Sequence, residues 1–151
     1  MPSSEVWGPS VWTFFHTLAE KINEKYFFKL RSNIFNIIKL TCRNLPCPKC
    51  ASEASIFLEK TNINKINNKQ EFINFIYMFH NYVNKKKNKP LFSSTKLNIY
   101  KNIHLSSAFL NFIKVFHTRG NMQLLTESFQ RDLAIKEIIK WMKAYGKAFI
   151  N

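Results

Sequence analysis

The chain has 151 residues, which is enough for one domain with a hydrophobic core of its own. Because 46% of its residues are hydrophobic and 15% are aromatic, the composition argues against a disordered protein. Only three glycines and five prolines are present, and so few turn-forming residues favour long helices over a sheet of many short strands. Three cysteines are too few for a disulfide-stapled secreted scaffold.

The chain carries a formal charge of +14, from 23 lysines and arginines against 9 acidic residues. An excess of this size attracts nucleic acid, anionic membranes or acidic proteins. The chain is also rich in Lys, Asn, Ile and Phe, the residues that AT-rich codons favour, so the charge can equally reflect genome composition. A basic helical module that binds nucleic acid is therefore an alternative that composition leaves open.

The pattern of apolar residues bears on the compartment. No apolar run approaches the ~20 residues needed to span a bilayer. The N-terminal segment, MPSSEVW, lacks the basic stretch followed by an apolar stretch that marks a secretory signal. Together with the small, odd number of cysteines, this predicts a cytoplasmic protein without a signal peptide or transmembrane segment.

Hydrophobic periodicity predicts four helices in the first 90 residues. The first places Pro9 in its opening turn, where the missing N–H is not needed. The second runs over about 26–41, and the third begins at Pro48. A polar loop at 61–69 separates the third helix from the fourth, whose apolar residues recur at helical intervals over 72–83.

The last 60 or so residues are predicted to contain two more helices. Residues 91–104 have the mixed character of a loop, with a short helix near Tyr100. A strong apolar stripe predicts a helix over 105–116, closed by Gly120 as its C-cap. A last helix is predicted over roughly 126–149.

Helices without strand alternation predict an all-α fold. Short connections among the first four helices favour a four-helix bundle, with the last two as a C-terminal helical extension. The predicted division is a helical core over residues 1–92, followed by a connecting segment and the extension over 93–151. The extension is expected to pack on the core or on a partner subunit, or else to recruit a substrate or an acidic partner.

The hexapeptide LPCPKC contains two of the three cysteines, Cys47 and Cys50. The Cys-x-x-Cys spacing suits half of a zinc site, a redox-active dithiol or two buried thiols. A zinc site needs four ligands, and the four histidines are scattered along the chain, so no metal site is predicted. A cysteine at a helix N-terminus has its thiolate stabilised by free N–H groups, which favours redox chemistry. The hexapeptide alone leaves these readings open.

Two other stretches are candidates for a binding site, WGPSVWTFFH and HNYVNKKKNKP. In the first, Trp12 and His16 stand one helical turn apart on the same face. In the second, Asn and His side chains can hydrogen-bond the edge of a heterocycle, and lysines can hold a pyrophosphate. Each also has an ordinary structural explanation, as aromatic core packing and as a solvated basic helix end.

In this order, WGPSVWTFFH, CPKC and HNYVNKKKNKP resemble the motifs of the Erv/ALR family of FAD-linked sulfhydryl oxidases. The resemblance covers about residues 5–92, and its last motif is long and specific. It implies a small helical bundle that binds FAD, commonly as a homodimer. The lack of a second, shuttle cysteine pair is similar to the short forms found in large cytoplasmic DNA viruses.

The resemblance also implies roles for individual residues. Cys47 is expected to be the outer thiol that exchanges with a thiol-containing protein substrate, and Cys50 the inner thiol beside the flavin. Electrons are expected to pass through this pair to FAD and then to O2, giving H2O2. Nucleic acid is not expected, because the cofactor motif accounts for the dense lysine run. The expected cofactor-binding residues are Trp7, Gly8, Trp12, His16, His80, Asn81, Val83, Asn84, Lys86 and Lys89.

Two positions bear on how far the resemblance extends. Glu53 stands where the family often has a histidine, and an acidic side chain suits an anionic cofactor less well. Glu53 is expected to point outward or to pair with a lysine; an inactive relative that binds a thiol partner is the alternative. Cys42 is expected to be a buried helix thiol, or else to exchange with Cys47 or to cross-link two subunits.

Overall fold

The structure, a computed structural model, describes residues 4–117 and 125–150, and all side chains in these ranges except those of 125–127. Within them the only extended pairing is an isolated bridge between Ile22 and Phe149, so the predicted all-α fold is confirmed. The α-helices are α1 (Ser4–Lys21), α2 (Glu24–Arg43), α3 (Pro48–Glu59), α4 (Lys69–Lys86), α5 (Leu105–Phe116) and α6 (Leu125–Tyr145). Short 3-10 segments are Ile63–Lys65, Ser94–Asn102 and Gly146–Ala148.

Helix α1 contains Pro9 in its interior, so the prediction that this proline lies in the opening turn was wrong. A proline there removes one main-chain hydrogen bond. The local cost is limited because the carbonyl left unbonded belongs to Glu5, which is exposed to water. The Ser10 hydroxyl donates to a different carbonyl, that of Trp7, at 2.7 Å. The helix therefore includes Trp7 and Gly8, which places both on the same element as Trp12.

Helix α4 begins at Lys69, a little before the predicted apolar stripe, and its start is set by caps. The Asn68 side chain accepts a hydrogen bond from the Glu71 N–H at 2.8 Å. The Glu71 carboxylate accepts in turn from the Asn67 N–H at 3.1 Å. This reciprocal arrangement pairs N–H groups that a helix start otherwise leaves unbonded.

The segment after α4 follows the prediction in outline. The short helix expected near Tyr100 is the 3-10 segment Ser94–Asn102, and α5 covers the predicted 105–116. The C-cap predicted at Gly120 lies outside the described residues. Helix α6 ends at Tyr145, and a 3-10 turn takes up most of the remainder of the predicted 126–149.

Helix α1 lies at the centre of the packing, against α4, α5 and the segment Ser94–Asn102, while α2 packs against α3 and α6. One hydrophobic core includes residues from both parts of the predicted division, such as Phe14 of α1 and Phe112 of α5, whose rings stack at 4.6 Å. The boundary at residue 92 stays a prediction. The side chains that are large and almost completely buried are Phe14, Phe15, Leu18, Ile22, Phe27, Ile34, Ile38, Leu58, Phe72, Phe79, Phe112 and Phe116.

Candidate active site

The dithiol lies at the start of α3, where Cys47 and Cys50 form a disulfide with their Cα atoms 5.2 Å apart. Cys47 is the N-cap residue in extended conformation, and its Sγ accepts a hydrogen bond from the Cys50 N–H at 3.2 Å. Pro48 occupies the first turn, as predicted, where its missing N–H costs no helical bond. The chain therefore changes from extended to helical between Cys47 and Cys50.

The two cysteines of the pair differ in exposure. Cys47 is partly exposed, whereas Cys50 is only 7% exposed and belongs to the hydrophobic core. Cys50 also lines a cavity of about 370 Å³, and Cys47 does not. The disulfide therefore connects a partly exposed sulfur, that of Cys47, to the wall of the cavity that Cys50 lines.

The cavity is enclosed mainly by α1, the start of α3 and the second half of α4. Its lining combines aromatic rings with cations near one end. A volume of this size is within the range of about 300–1,000 Å³ that small-molecule sites occupy. Predicted site residues that line it are Trp7, Gly8, Trp12, Cys50, His80, Val83, Asn84 and Lys89.

A histidine pair joins α1 to α4 beside this cavity. His16 Nε2 and His80 Nδ1 lie 2.9 Å apart, so one ring donates to the other. Trp12 stacks on His80 with ring centroids 4.2 Å apart, and Tyr100 stacks on His16 at 4.4 Å. These ring contacts pack the predicted α1 motif against the predicted α4 motif, although His16 and His80 are 64 residues apart in sequence.

Both histidines of this pair are uncharged near neutral pH. Burial lowers the pKa of His16 to about 3, with a further contribution from His80. Burial likewise lowers the pKa of His80 to about 4, and the positive charge of Lys89 adds to this effect. Charging either ring would require removing it from its stacked neighbours or leaving a cation in an apolar environment.

Lysines supply the positive charge of the cavity. Lys87 and Lys89 line it, and the ammonium group of Lys87 lies 5.5 Å from the ring centroid of Trp7. Burial and the charge of Lys89 lower the pKa of Lys87, whereas the carboxylate of Glu53 opposes the shift. Glu53 does not line the cavity and acts electrostatically on a lysine, in agreement with the expectation for this position.

Three of the predicted cofactor-binding residues do not line the cavity. His16 lies behind the lining residues His80, Trp12 and Tyr100, which its ring contacts. Asn81 instead holds the main chain after α4, because its side chain donates to the Phe92 carbonyl at 3.0 Å and accepts from the Phe92 N–H at 2.7 Å. Lys86 is exposed, with its ammonium group 5.6 Å from the ring centroid of Tyr82.

Some lining residues were not among the predicted site residues. Lys87 belongs to the same lysine run as Lys86, but the position of each around the helix decides which one faces the cavity. Phe79 lies one turn before Val83, a spacing that could have indicated it. Tyr100 carries no sequence signal, because it reaches the site from a separate segment.

Cys42 also lines the cavity, although it lies on α2. It is a free thiol that is 1% exposed, and burial raises its pKa well above the usual range. The expectation of a buried helix thiol is confirmed. A thiol with a raised pKa is a poor nucleophile, because the thiolate is the reactive form.

Neither a metal site nor a membrane-spanning helix is found among the described residues. No group of three or more His, Cys, Asp or Glu side chains there could hold a metal ion. No helix in the described ranges combines the length and the apolar character that crossing a membrane requires. The dithiol and the cavity therefore remain the candidate site.

The fold and the site define a class of protein: a small helical bundle that links a partly exposed sulfur to an aromatic, basic cavity through a Cys-x-x-Cys disulfide. The sequence profile of the Erv1 / Alr family matches residues 9–104, which is more than half of the chain. This chain belongs to the Erv1 / Alr family. The family resemblance predicted from the three motifs is confirmed, and α5 and α6 lie beyond the matched range.

Relatives with a curated name are similar to this chain over the same region. It is 32% identical over 101 residues to the FAD-linked sulfhydryl oxidase of African swine fever virus (isolate Pig/Kenya/KEN-50/1950), covering 67% of this chain and 82% of the viral protein. It is 29% identical over 85 residues to the FAD-linked sulfhydryl oxidase ERV1 of Arabidopsis thaliana, covering 56% and 44% of the two chains. The protein of the same name from Oryza sativa subsp. japonica is 26% identical over 91 residues, covering 60% and 46%. No solved structure matches the chain.

Proposed function

We propose that this protein is an FAD-linked thiol oxidase that forms disulfide bonds in thiol-containing proteins. The observation that carries the proposal is the Cys47–Cys50 disulfide, which runs from a partly exposed sulfur to the wall of the cavity. The names of the viral and plant relatives agree with this function. The family match covers both the dithiol and the α1 and α4 residues that surround the cavity.

Substrate oxidation begins at the more exposed sulfur. A substrate thiolate attacks Cys47 Sγ, the Cys47–Cys50 bond breaks, and Cys50 leaves as a thiolate. A second substrate thiolate then attacks the sulfur of the substrate in this mixed disulfide and displaces Cys47. The substrate loses two electrons and gains one disulfide bond, while the enzyme pair becomes two thiols. The difference in exposure supports Cys47 as the outer thiol and Cys50 as the inner thiol.

Two features of the cavity support the proposal that it binds FAD. Trp7 Nε1 is buried without a hydrogen-bond partner among the described residues, so a polar ligand atom would satisfy it. A Cβ atom built on Gly8 would meet nothing within 4 Å, which shows open space beside the helix backbone. FAD bound there supplies a two-electron acceptor that O2 restores with release of H2O2, so the net reaction is 2 R–SH + O2 giving R–S–S–R + H2O2.

The side chains around the cavity divide into groups with different tasks. Flat rings from α1 and α4 suit stacking against an aromatic cofactor. The neutral His16–His80 pair can donate and accept hydrogen bonds without adding charge. Lysines at the end of α4 suit the anionic part of the cofactor. The residues proposed to bind FAD remain Trp7, Gly8, Trp12, His16, His80, Asn81, Val83, Asn84, Lys86 and Lys89, with Lys87 added from the structure.

A spectrum and an oxygen electrode test this function. The purified protein should be yellow, with the visible absorbance of an oxidised flavin, and should consume O2 when dithiothreitol is added. The variant Cys50→Ser should keep its flavin absorbance and lose oxygen consumption, because no disulfide can form at the cavity wall. A colourless protein that takes up no added FAD would contradict the proposal, and retained turnover in Cys50→Ser would contradict the role of Cys50.

Assembly, compartment and domain division complete the proposal. A homodimer is supported by the family resemblance, and light scattering from the purified protein tests it. A location in the cytoplasm of a host cell or in a virion is supported by the low cysteine count and the viral relatives. The division into a cofactor-binding core, 1–92, and an extension, 93–151, is supported by the family match, which ends before α5.

A further inference from the structure

A second concavity, of about 370 Å³, lies at the start of α3 and shares Leu45 with the first cavity. We call it the Cys47 groove and define it by Arg43, Leu45, Pro48, Ala51 and Gln130, which line it together with Asn44 and Arg131. Leu45 lies two residues before Cys47 and Pro48 directly follows it, although Cys47 itself does not line the groove. The partly exposed cysteine is thus bracketed by the walls of this groove.

One wall of the Cys47 groove comes from α6, beyond the region that the family profile matches. Arg131 is 4% exposed and donates from Nε to the Asn44 carbonyl at 2.9 Å. Its guanidinium group lies 5.9 Å from the ring centroid of Phe116 on α5. These contacts attach α6 to the link between α2 and α3, so the groove is a built feature of the fold.

The chemistry of the Cys47 groove is basic. Arg43 is exposed, and no ion pair involves it among the described residues. Asp132, the residue after Arg131, contacts His117 Nδ1 at 2.8 Å, and Glu53 acts on Lys87. None of the described side chains that line the groove is acidic. A cationic groove of this kind favours anionic groups and disfavours cationic ones.

We infer that the Cys47 groove binds the segment of a substrate protein that carries the attacking thiol, and that it selects segments with acidic residues beside the cysteine. The inference rests on the proposed thiol oxidase function and names the substrate class of that site. Arg43 supplies the charge that recognises the acidic residue, and the exposed amide of Gln130 pairs with substrate main chain. Apolar contact comes from Leu45, Pro48 and Ala51.

Oxygen consumption with three dithiol peptides tests the inference. The peptides have equal length and carry Glu, Gln or Lys beside each cysteine. The wild type should prefer the Glu peptide over the Gln peptide in kcat/KM by about threefold, which corresponds to about 0.7 kcal/mol, the range of an exposed ion pair. The preference should shrink at high salt, since exposed charges are screened. Arg43→Glu should abolish or reverse it. Lys29→Glu, the same charge change at an exposed position of the same helix, should keep it.

A steric pair of variants provides a second measurement. Gln130→Trp should fill the groove and lower the ratio of kcat/KM for the Glu peptide to that for dithiothreitol. Lys140→Trp, at an exposed position of the same helix, should leave this ratio unchanged. Flavin absorbance and circular dichroism show that each variant is folded.

A trapping reaction measures the groove without turnover. In Cys50→Ser, the Cys47 thiolate attacks a peptide activated as its thionitrobenzoate disulfide, forms the mixed disulfide and releases coloured thionitrobenzoate. The Glu peptide should react faster than the Gln peptide, and Arg43→Glu should remove the difference. Equal rates for both peptides, or equal losses in the Arg43 and Lys29 variants, would overturn the inference. A wild type that oxidises no dithiothreitol would refute the proposed function instead, and the trapping rates would still decide on the groove.

Discussion

The His16–His80 pair predicts that the protein loses stability as the pH falls below neutral. The perturbation is the double substitution His16→Phe with His80→Phe, which keeps two aromatic rings and removes both titrating groups. In the folded protein, burial lowers the pKa of the two rings to about 3 and about 4. In the unfolded chain, a histidine titrates near ~6.5. Between these values the unfolded chain binds more protons, so acidification favours unfolding.

The size of the effect follows from the same pKa values. From pH 7 to pH 5, a histidine that is neutral in the folded state and titrates freely when unfolded lowers the free energy of unfolding by about 2 kcal/mol. His16 is almost completely buried and should contribute this amount. His80 is partly exposed and should contribute less. The pair should therefore lower the free energy of unfolding by about 3 kcal/mol over this interval, and the full stability should be present above about pH 6.5.

Urea unfolding at pH 7 and pH 5, with the same excess of FAD in every sample, measures this difference. The wild type should lose about 3 kcal/mol more than the double variant between the two pH values. His104→Gln is the matched control, because it removes an exposed imidazole that lies outside the stacked rings. Equal pH dependence in the wild type and the double variant would refute the conclusion that the buried pair is neutral.

Two further predictions concern α4 and α5. Asn81→Ala should lower the free energy of unfolding by about 1–3 kcal/mol, because both Phe92 main-chain groups lose their partner. Urea unfolding measures this difference. An unchanged midpoint of unfolding would show that water replaces the side chain. Phe112→Ala should cost about 3–5 kcal/mol, because this ring is completely buried and stacks on Phe14. The exposed control Leu110→Ala should cost far less, and a small effect of Phe112→Ala would mean that α5 does not share the core.

The helices and the identity of the redox pair were accessible from sequence because they depend on local features. Apolar residues at helical spacing located α2, α4 and α5 closely, since a helix must bury one face. The start of α1 was misplaced because proline was taken as a helix-start signal, whereas the carbonyl that Pro9 leaves unbonded belongs to the exposed Glu5, where water replaces the lost bond. The three motifs pointed to the family because their residue types and order are specific.

What sequence could not decide is the direction in which each side chain faces. Helical spacing places Lys87, and not Lys86, on the face of His80 and Asn84, but only the packing of α4 against α1 makes that face a wall of the cavity. The side chain of Asn81 bonds the main chain of Phe92, a contact that the motif did not indicate. Such outcomes depend on contacts between segments that are distant in sequence, which residue spacing does not encode.

The sequence by itself determined an all-α chain with a Cys-x-x-Cys pair at a helix start, flanked by aromatic and basic helices. The tertiary structure decided that Cys50 faces the cavity while Cys47 remains partly exposed, and that α6 completes a groove beside Cys47. The physical reason is that helix formation depends on residues within a few turns. Exposure and cavities arise only when distant helices exclude water from the space between them.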